Sequence, residues 1–315
     1  MRGTDLAIGI DFGASTLKVG VVYQSHVIDQ EQPISTLEFD TPDALIEVMV
    51  KAVGKLRDRH PGVVALGAGV PGFVNFDRGL VHNLTNVPGW VEIPLQRLLE
   101  EKTGMPTVVD NRANCVGVAE WRCGVARGLK DVVFINAEIG VGGAIIANSQ
   151  IIRGSRFGAG EIGQCSIDWQ GKKGEYGNLG ALEEYTGSLH FAEAACQAYA
   201  EAGIKKTVPE CSLCALIFAA HKGCPVANAH WDWYARVMAS AAMNCCWLLN
   251  PEAVVIGGSV TRAGELFFRP FRDRLFEQLS GPFKDHLMVV PSAFGPEAGT
   301  IGAAAIALDG ADVLA

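Results

Sequence analysis

The feature that most restricts the fold is a strand–turn–strand pattern with glycine at its turn, and the chain carries it twice. Near the start, the apolar run 7–13 ends in Asp11, Phe12 and Gly13, turns over 14–16 and resumes as a strand-like run over 18–23. Farther on, the run 132–135 enters the glycine-rich turn 140–143 and returns over 144–147. Two such units predict a duplicated architecture with a cleft between its halves. Between and after them, Leu45, Ile46, Met49, Val53 and Leu56 recur at the spacing of one helix face over 42–59, with Thr41 as N-cap. A strand is expected over 63–70, broken by Pro71 and Gly72, then a hairpin over 73–81 and a helix over 90–103. A short strand over 107–109 runs into Asp110 and a helix reaching Cys123. A long glycine-rich loop covers 154–187, helices follow over 225–249 and 298–308, and a strand over 253–256 ends on Gly257 and Gly258. The fold class read from this alternation is α/β.

Charge and composition remove several function classes. The 315 residues are 49% apolar and 19% charged with 37 glycines, a globular balance rather than a disordered or coiled-coil one. With 34 acidic against 26 basic residues the net charge is -8, and no run of Lys or Arg appears, so no nucleic-acid partner is expected. The apolar stretch 6–10 is cut by Asp11 too early for a secretion signal, and 238–249 is too short to span a bilayer and holds Ser240 and Asn244. A cytoplasmic protein without membrane contact is expected. Nine cysteines without an export signal read as reduced thiols. Cys211, Cys214, His221 and Cys224 have a metal-like spacing, but the helix expected over 212–221 would spread them around its surface, so they are read as core thiols.

Phosphate binding wants backbone N–H groups turned into a concavity, which glycine permits. Three such places follow strands: Asp11 to Thr16, Gly140 to Gly143, and Gly257-Gly258-Ser259. Each alone is an ordinary turn; their order along the chain is informative. With I-G-I-D-F-G-A-S-T at 8–16, G-A-G-V-P-G-F-V at 67–74, N-V-P-G-W at 86–90, D-N-R-A-N at 110–114, G-A-G-E-I-G at 158–163, N-P-E-A-V-V-I-G-G at 250–258 and G-T-I-G-A-A at 299–304, the chain resembles the ROK family of sugar kinases and sugar-responsive regulators nearly end to end. That resemblance implies a two-lobed actin-like (ribonuclease H-like) ATPase fold, with lobes at 1–115 plus 298–315 and at 116–297. It implies ATP phosphates against Gly13, Ser15, Thr16, Gly140, Gly142 and Gly143, Mg²⁺ near Asp11, and adenosine near Gly257 and Gly258. Asn86, Asn111, Glu161, Gln164 and Glu183 would meet a sugar, and the protein would be a homodimer.

Three departures bear on activity. Where the family places the aspartate that accepts the hydroxyl proton, this chain has Arg112, which stays protonated and has no lone pair to offer. Asp110, two residues earlier, is the candidate substitute base if the strand end is twisted, a water chain being the other route for the proton, and the ordinary role for Arg112 is to neutralise Asp110 or Glu120. The positions of the family's structural zinc ligands are taken by Gln164, Gly174, Tyr176 and Ala181, so zinc is not expected. Glu138-Ile139-Gly140 replaces a G-T-G and puts a carboxylate near the polyphosphate. The expected function is an ATP-dependent sugar kinase for a hexose or amino sugar. The alternative is a catalytically inactive protein that binds a sugar or sugar phosphate. A DNA-binding repressor is set aside because the first strand already begins at Ala7, leaving no room for an N-terminal helix-turn-helix.

Overall fold

A computed structural model describes residues 5–84 and 87–314, with side chains described up to 310. The chain divides into two units: Met1–Gly128, Ile151–Ala159 and Ala293–Ala315 form unit 1, and Leu129–Gln150 with Gly160–Ser292 form unit 2. The lobe limits read from sequence fall elsewhere, at 115 and 297. Unit 1 instead keeps the whole helix Arg112–Arg122 and takes in the separate segment Ile151–Ala159.

Unit 1 is built on β1 (Leu6–Phe12), β2 (Thr16–Tyr23), β3 (His26–Gln30), β4 (Ile34–Ser35) and β5 (Val63–Val70), a small separate sheet of β6 (Val74–Asn75), β7 (Leu80–Asn83) and β8 (Val91–Ile93), and then β9 (Thr107–Asn111). The main sheet runs β3-β2-β1-β5-β9, with β1, β5 and β9 parallel. Helix Pro42–Arg59 forms as its spacing predicts: Thr41 Oγ1 accepts from Ala44 N at 3.4 Å and the face from Leu45 to Leu56 is buried. The helix expected over 90–103 is shorter, Leu95–Thr103, because Pro94 has no N–H to donate and holds Ile93 extended in β8. The C-terminal helix Ala298–Leu314 lies directly on β1 and β5, where a Cβ on Gly9 or Gly67 would overlap the carbonyls of Thr300 or Ala303.

Unit 2 repeats the plan with β10 (Val132–Ala137), β11 (Val141–Ala147), β12 (Gln150–Ile151), β13 (Ala253–Gly258) and β14 (Met288–Pro291), in the order β12-β11-β10-β13-β14. Again an antiparallel hairpin is extended by parallel strands. The turn of this hairpin is Glu138–Gly140, tighter than expected from sequence, so Gly142 and Gly143 lie inside β11. Helix Pro225–Leu249 ends on Asn250 at φ 45. Its inner face packs Trp231, Tyr234 and Met238 against Phe191, Phe267 and Phe271 in the core of this unit. Among the described residues no helix is long and apolar enough to cross a membrane.

Candidate functional site

In unit 1 the sheet places Asp11, Gly69 and Asp110 side by side at the carboxyl ends of three parallel strands. Strand spacing sets the two aspartates about 10 Å apart across the glycine. Both are buried, 2% exposed each, so each needs a partner. Asn111 accepts from Ala113 N at 2.7 Å and from Asn114 N at 3.4 Å, capping helix Arg112–Arg122 and fixing where Arg112 starts. From there Arg112 reaches Asp11, with Nε donating to Oδ1 at 2.6 Å and Nη2 to Oδ2 at 3.4 Å. This corrects the sequence reading of Arg112, which had it neutralising Asp110 or Glu120. Glu120 instead accepts from the backbone N–H of Val125, Ala293 and Phe294, and burial raises its carboxyl.

Asp110 is held by Arg153, a residue the sequence reading missed. Arg153 Nε and Nη2 donate to Oδ2 at 2.9 and 2.7 Å, while Asn111 N and Asn114 Nδ2 donate to Oδ1 at 2.7 and 3.0 Å. The guanidinium also lies 3.6 Å over the Phe76 ring. With four donors on it, Asp110 has little capacity left to take a proton from a substrate hydroxyl. Asn111, expected on the sugar, spends its oxygen on the helix cap and its Nδ2 on Gly72 O at 2.8 Å. Asn86 lies outside the described residues. At the first glycine turn, Gly13 N donates to Thr16 O at 2.9 Å, and Thr36 ties down the carbonyls of Ala14 and Ser15, whose side chains stay exposed.

The divalent cation implied for Asp11 does not fit these residues. Both carboxylate oxygens are engaged by a guanidinium, and the carboxylate packs so closely on Gly299 that a Cβ there would overlap it.

In unit 2 the second and third glycine segments flank β10 at the same level: Asn136 pairs with Gly142 on one side and Gly257 on the other, and Ala137 with Val141 and Gly258. Their glycines are explained first by packing. A Cβ on Gly143 would come within 2.5 Å of Ile162, one on Gly257 within 2.6 Å of Phe134, and one on Gly258 would overlap Ala137 O. The space beside Gly140 holds Glu183, whose Oε2 accepts from Val141 N at 2.6 Å, so an anion already sits on the turn expected to hold phosphate.

Three residues singled out from sequence for a sugar do converge here. Gln164 Nε2 donates to Glu183 Oε1 at 3.5 Å, and Gln164 Oε1 is buried with no partner among the described residues. Burial, and then the charge of Glu183, push the Glu161 carboxyl above its ordinary range. No arginine or lysine pairs with either glutamate among the described ion pairs. Carboxylates and an amide oxygen without cations call for neutral donors, which hydroxyl groups supply.

Backbone bonds close the loop in which the family's zinc ligands would lie. Gly174 N donates to Asn178 O and Gly180 N to Lys172 O, each at 2.7 Å, and Leu182 N donates to Cys165 O at 3.0 Å. Ala181 is buried and Tyr176 exposed. Among the described residues no group of three or more His, Cys, Asp or Glu is arranged to hold a metal. Cys211 is buried, Cys224 Sγ lies 3.3 Å from the Tyr199 hydroxyl, and His221 Nδ1 turns back to Ile217 O at 2.8 Å.

A family model described as the ROK family matches residues 7–310. A glucokinase of Halalkalibacterium halodurans is 29% identical over 94% of this chain and 92% of its own length. A xylose repressor of Caldicellulosiruptor bescii is 27% identical over 84% of this chain and 69% of its own. The crystal structure of a ROK family glucokinase from Streptomyces griseus, in complex with glucose and AMPPNP, superposes with a TM-score of 0.82 at 28% identity, covering 96% of this chain and 99% of that one.

Proposed function

The chain belongs to the ROK family, and from that premise we propose that it binds a hexose or amino sugar, together with a nucleotide, without transferring a phosphoryl group. One observation carries the reading: Arg112 stands where a proton acceptor is needed and is bonded to Asp11, while the substitute base Asp110 is saturated by Arg153 and two neighbouring donors. A sugar hydroxyl then has no general base beside it, and base catalysis is commonly worth about 10²–10⁴ in rate. The cation-free trio of Glu161, Gln164 and Glu183 supports retained sugar binding. The nucleotide rests on the Streptomyces griseus glucokinase, whose structure holds glucose and AMPPNP. Homodimer formation and a cytoplasmic setting belong to this proposal too, and light scattering on the purified chain tests the first.

A second reading, an active ATP-dependent sugar kinase, is favoured by relatives named glucokinase at near full-length coverage. One experiment separates the two. The protein is incubated with ATP, Mg²⁺ and a panel of hexoses, amino sugars and their phosphates, while calorimetry follows sugar binding. Saturable binding without ADP release above the no-sugar control is expected, with release gained in Arg112→Asp. Sugar-dependent ADP release that disappears in Asp110→Asn would establish the kinase and overturn the proposal.

A further inference from the structure

We infer that Arg112 is a resident cation in place of a divalent metal at Asp11, so that nucleotide binding by this chain does not depend on Mg²⁺. The inference rests on the proposed nucleotide binding and adds how its charge is met. In unit 1 two carboxylates, Asp11 and Asp110, face two guanidiniums, those of Arg112 and Arg153, and the group is electrically balanced without an ion. A metal at Asp11 would have to displace a planar two-pronged partner and leave a guanidinium that is only 25% exposed without its carboxylate.

Two further features hold that arrangement. The Asn111 cap fixes the first residue of helix Arg112–Arg122, so the Arg112 backbone is not free to swing the side chain away. Asp11 also packs on Gly299 in the first turn of helix Ala298–Leu314, whose N-terminal end favours the bare carboxylate. Asp11 is therefore compensated from two sides, and a divalent ion would gain little there. A polyphosphate entering beside Gly13–Thr16 would meet a charge-balanced group in place of a bare carboxylate that repels it.

The test uses the full-length protein and two probes. ATP and ADP are titrated by calorimetry in millimolar Mg²⁺ and in EDTA, and Mn²⁺ alone is titrated by electron paramagnetic resonance. For the wild type we expect nucleotide dissociation constants that agree between the two buffers within about threefold, and no Mn²⁺ site tighter than millimolar. Arg112→Asp, which turns the balanced group acidic, is expected to gain a Mn²⁺ site and to bind ATP at least about tenfold more tightly in Mg²⁺ than in EDTA. Thermal melts confirm that this variant folds, and Arg112→Gln, which only removes the charge, serves if it does not; Mn²⁺ uptake is expected there as well. Tightening of wild-type ATP binding by Mg²⁺ of about tenfold or more, or a Mn²⁺ site lost in Asp11→Asn, overturns the inference. So does nucleotide binding that is absent from both buffers. Tightening by Mg²⁺ or a wild-type Mn²⁺ site leaves the proposed nucleotide binding and the absence of ADP release standing, whereas binding absent from both buffers overturns the nucleotide half of the proposed function as well, so the two failures are distinguishable.

Discussion

The two units share a sheet order, but the carboxylates brought together at their candidate sites are treated in opposite ways. In unit 1 each aspartate of the strand-end row is closed by an arginine, Asp11 by Arg112 and Asp110 by Arg153. In unit 2 Glu161 and Glu183 stand near each other without a cation, and one of them shifts toward its protonated form. A buried charge must be paired or must neutralise itself, and the chain shows the first solution at the strand ends of unit 1 and the second in the segments around Ile162–Gln164 and Glu183–Thr186 of unit 2. Topology therefore does not fix chemistry. A balanced ion-pair group is rigid and chemically quiet, whereas an unpaired acid pair keeps hydrogen-bonding capacity for a ligand.

The largest effect expected from breaking this contrast follows removal of a guanidinium from unit 1. Arg153→Ala leaves Asp110 buried and uncompensated, and the loss of folding stability should be about 3–5 kcal/mol, read from urea denaturation. Asp110→Asn in the same background should recover most of that loss, since it removes the stranded charge. If the single variant loses less than about 1 kcal/mol, the pair behaves as a surface ion pair and the contrast between units fails. A smaller effect is expected in unit 2. Glu183→Gln keeps an oxygen for Val141 N, so stability should change by no more than about 1 kcal/mol. Affinity for the bound sugar should drop by about tenfold, as calorimetry would show.

How far these pairings could be read from the chain follows from the distances along it. Helices Pro42–Arg59 and Pro225–Leu249 match their sequence limits because a periodic apolar face, a prolyl start and a capping residue act within a few residues of one another. The duplicated sheet was legible for the same reason, from runs of apolar residues ending in glycine. Arg112 was legible as an anomaly, but its partner was not, because Asp11 lies 101 residues away and is reached only through the parallel register of β1, β5 and β9. Arg153 offered no local signal at all. It sits in a short segment that returns to unit 1 from within the sequence of unit 2, and only that path brings it to Asp110, 43 residues back. The resemblance offered Glu183 as a sugar contact, while its bond to Val141 N, which occupies the expected phosphate turn, required the folded hairpin.

The finest probe of the contrast is pH. The folded-state pKa of Glu161 is raised from its ordinary 4.5, by burial first and then by Glu183, so between 4.5 and the raised value the folded chain holds a proton that the unfolded chain has released. Stability supplied by this group is thus complete below 4.5 and is lost as pH climbs through the folded-state pKa. Glu120 of unit 1, raised by burial against three opposing backbone donors, contributes with the same sign. The urea midpoint of the wild type should therefore fall from mildly acidic pH toward neutrality, less steeply in Glu161→Gln and again in Glu120→Gln. Glu183→Gln should also flatten the curve in part, because it removes only the second cause acting on Glu161 and leaves burial in place. A slope unchanged in both Glu161→Gln and Glu183→Gln would mean that the unit 2 acids do not differ in compensation as the contrast requires.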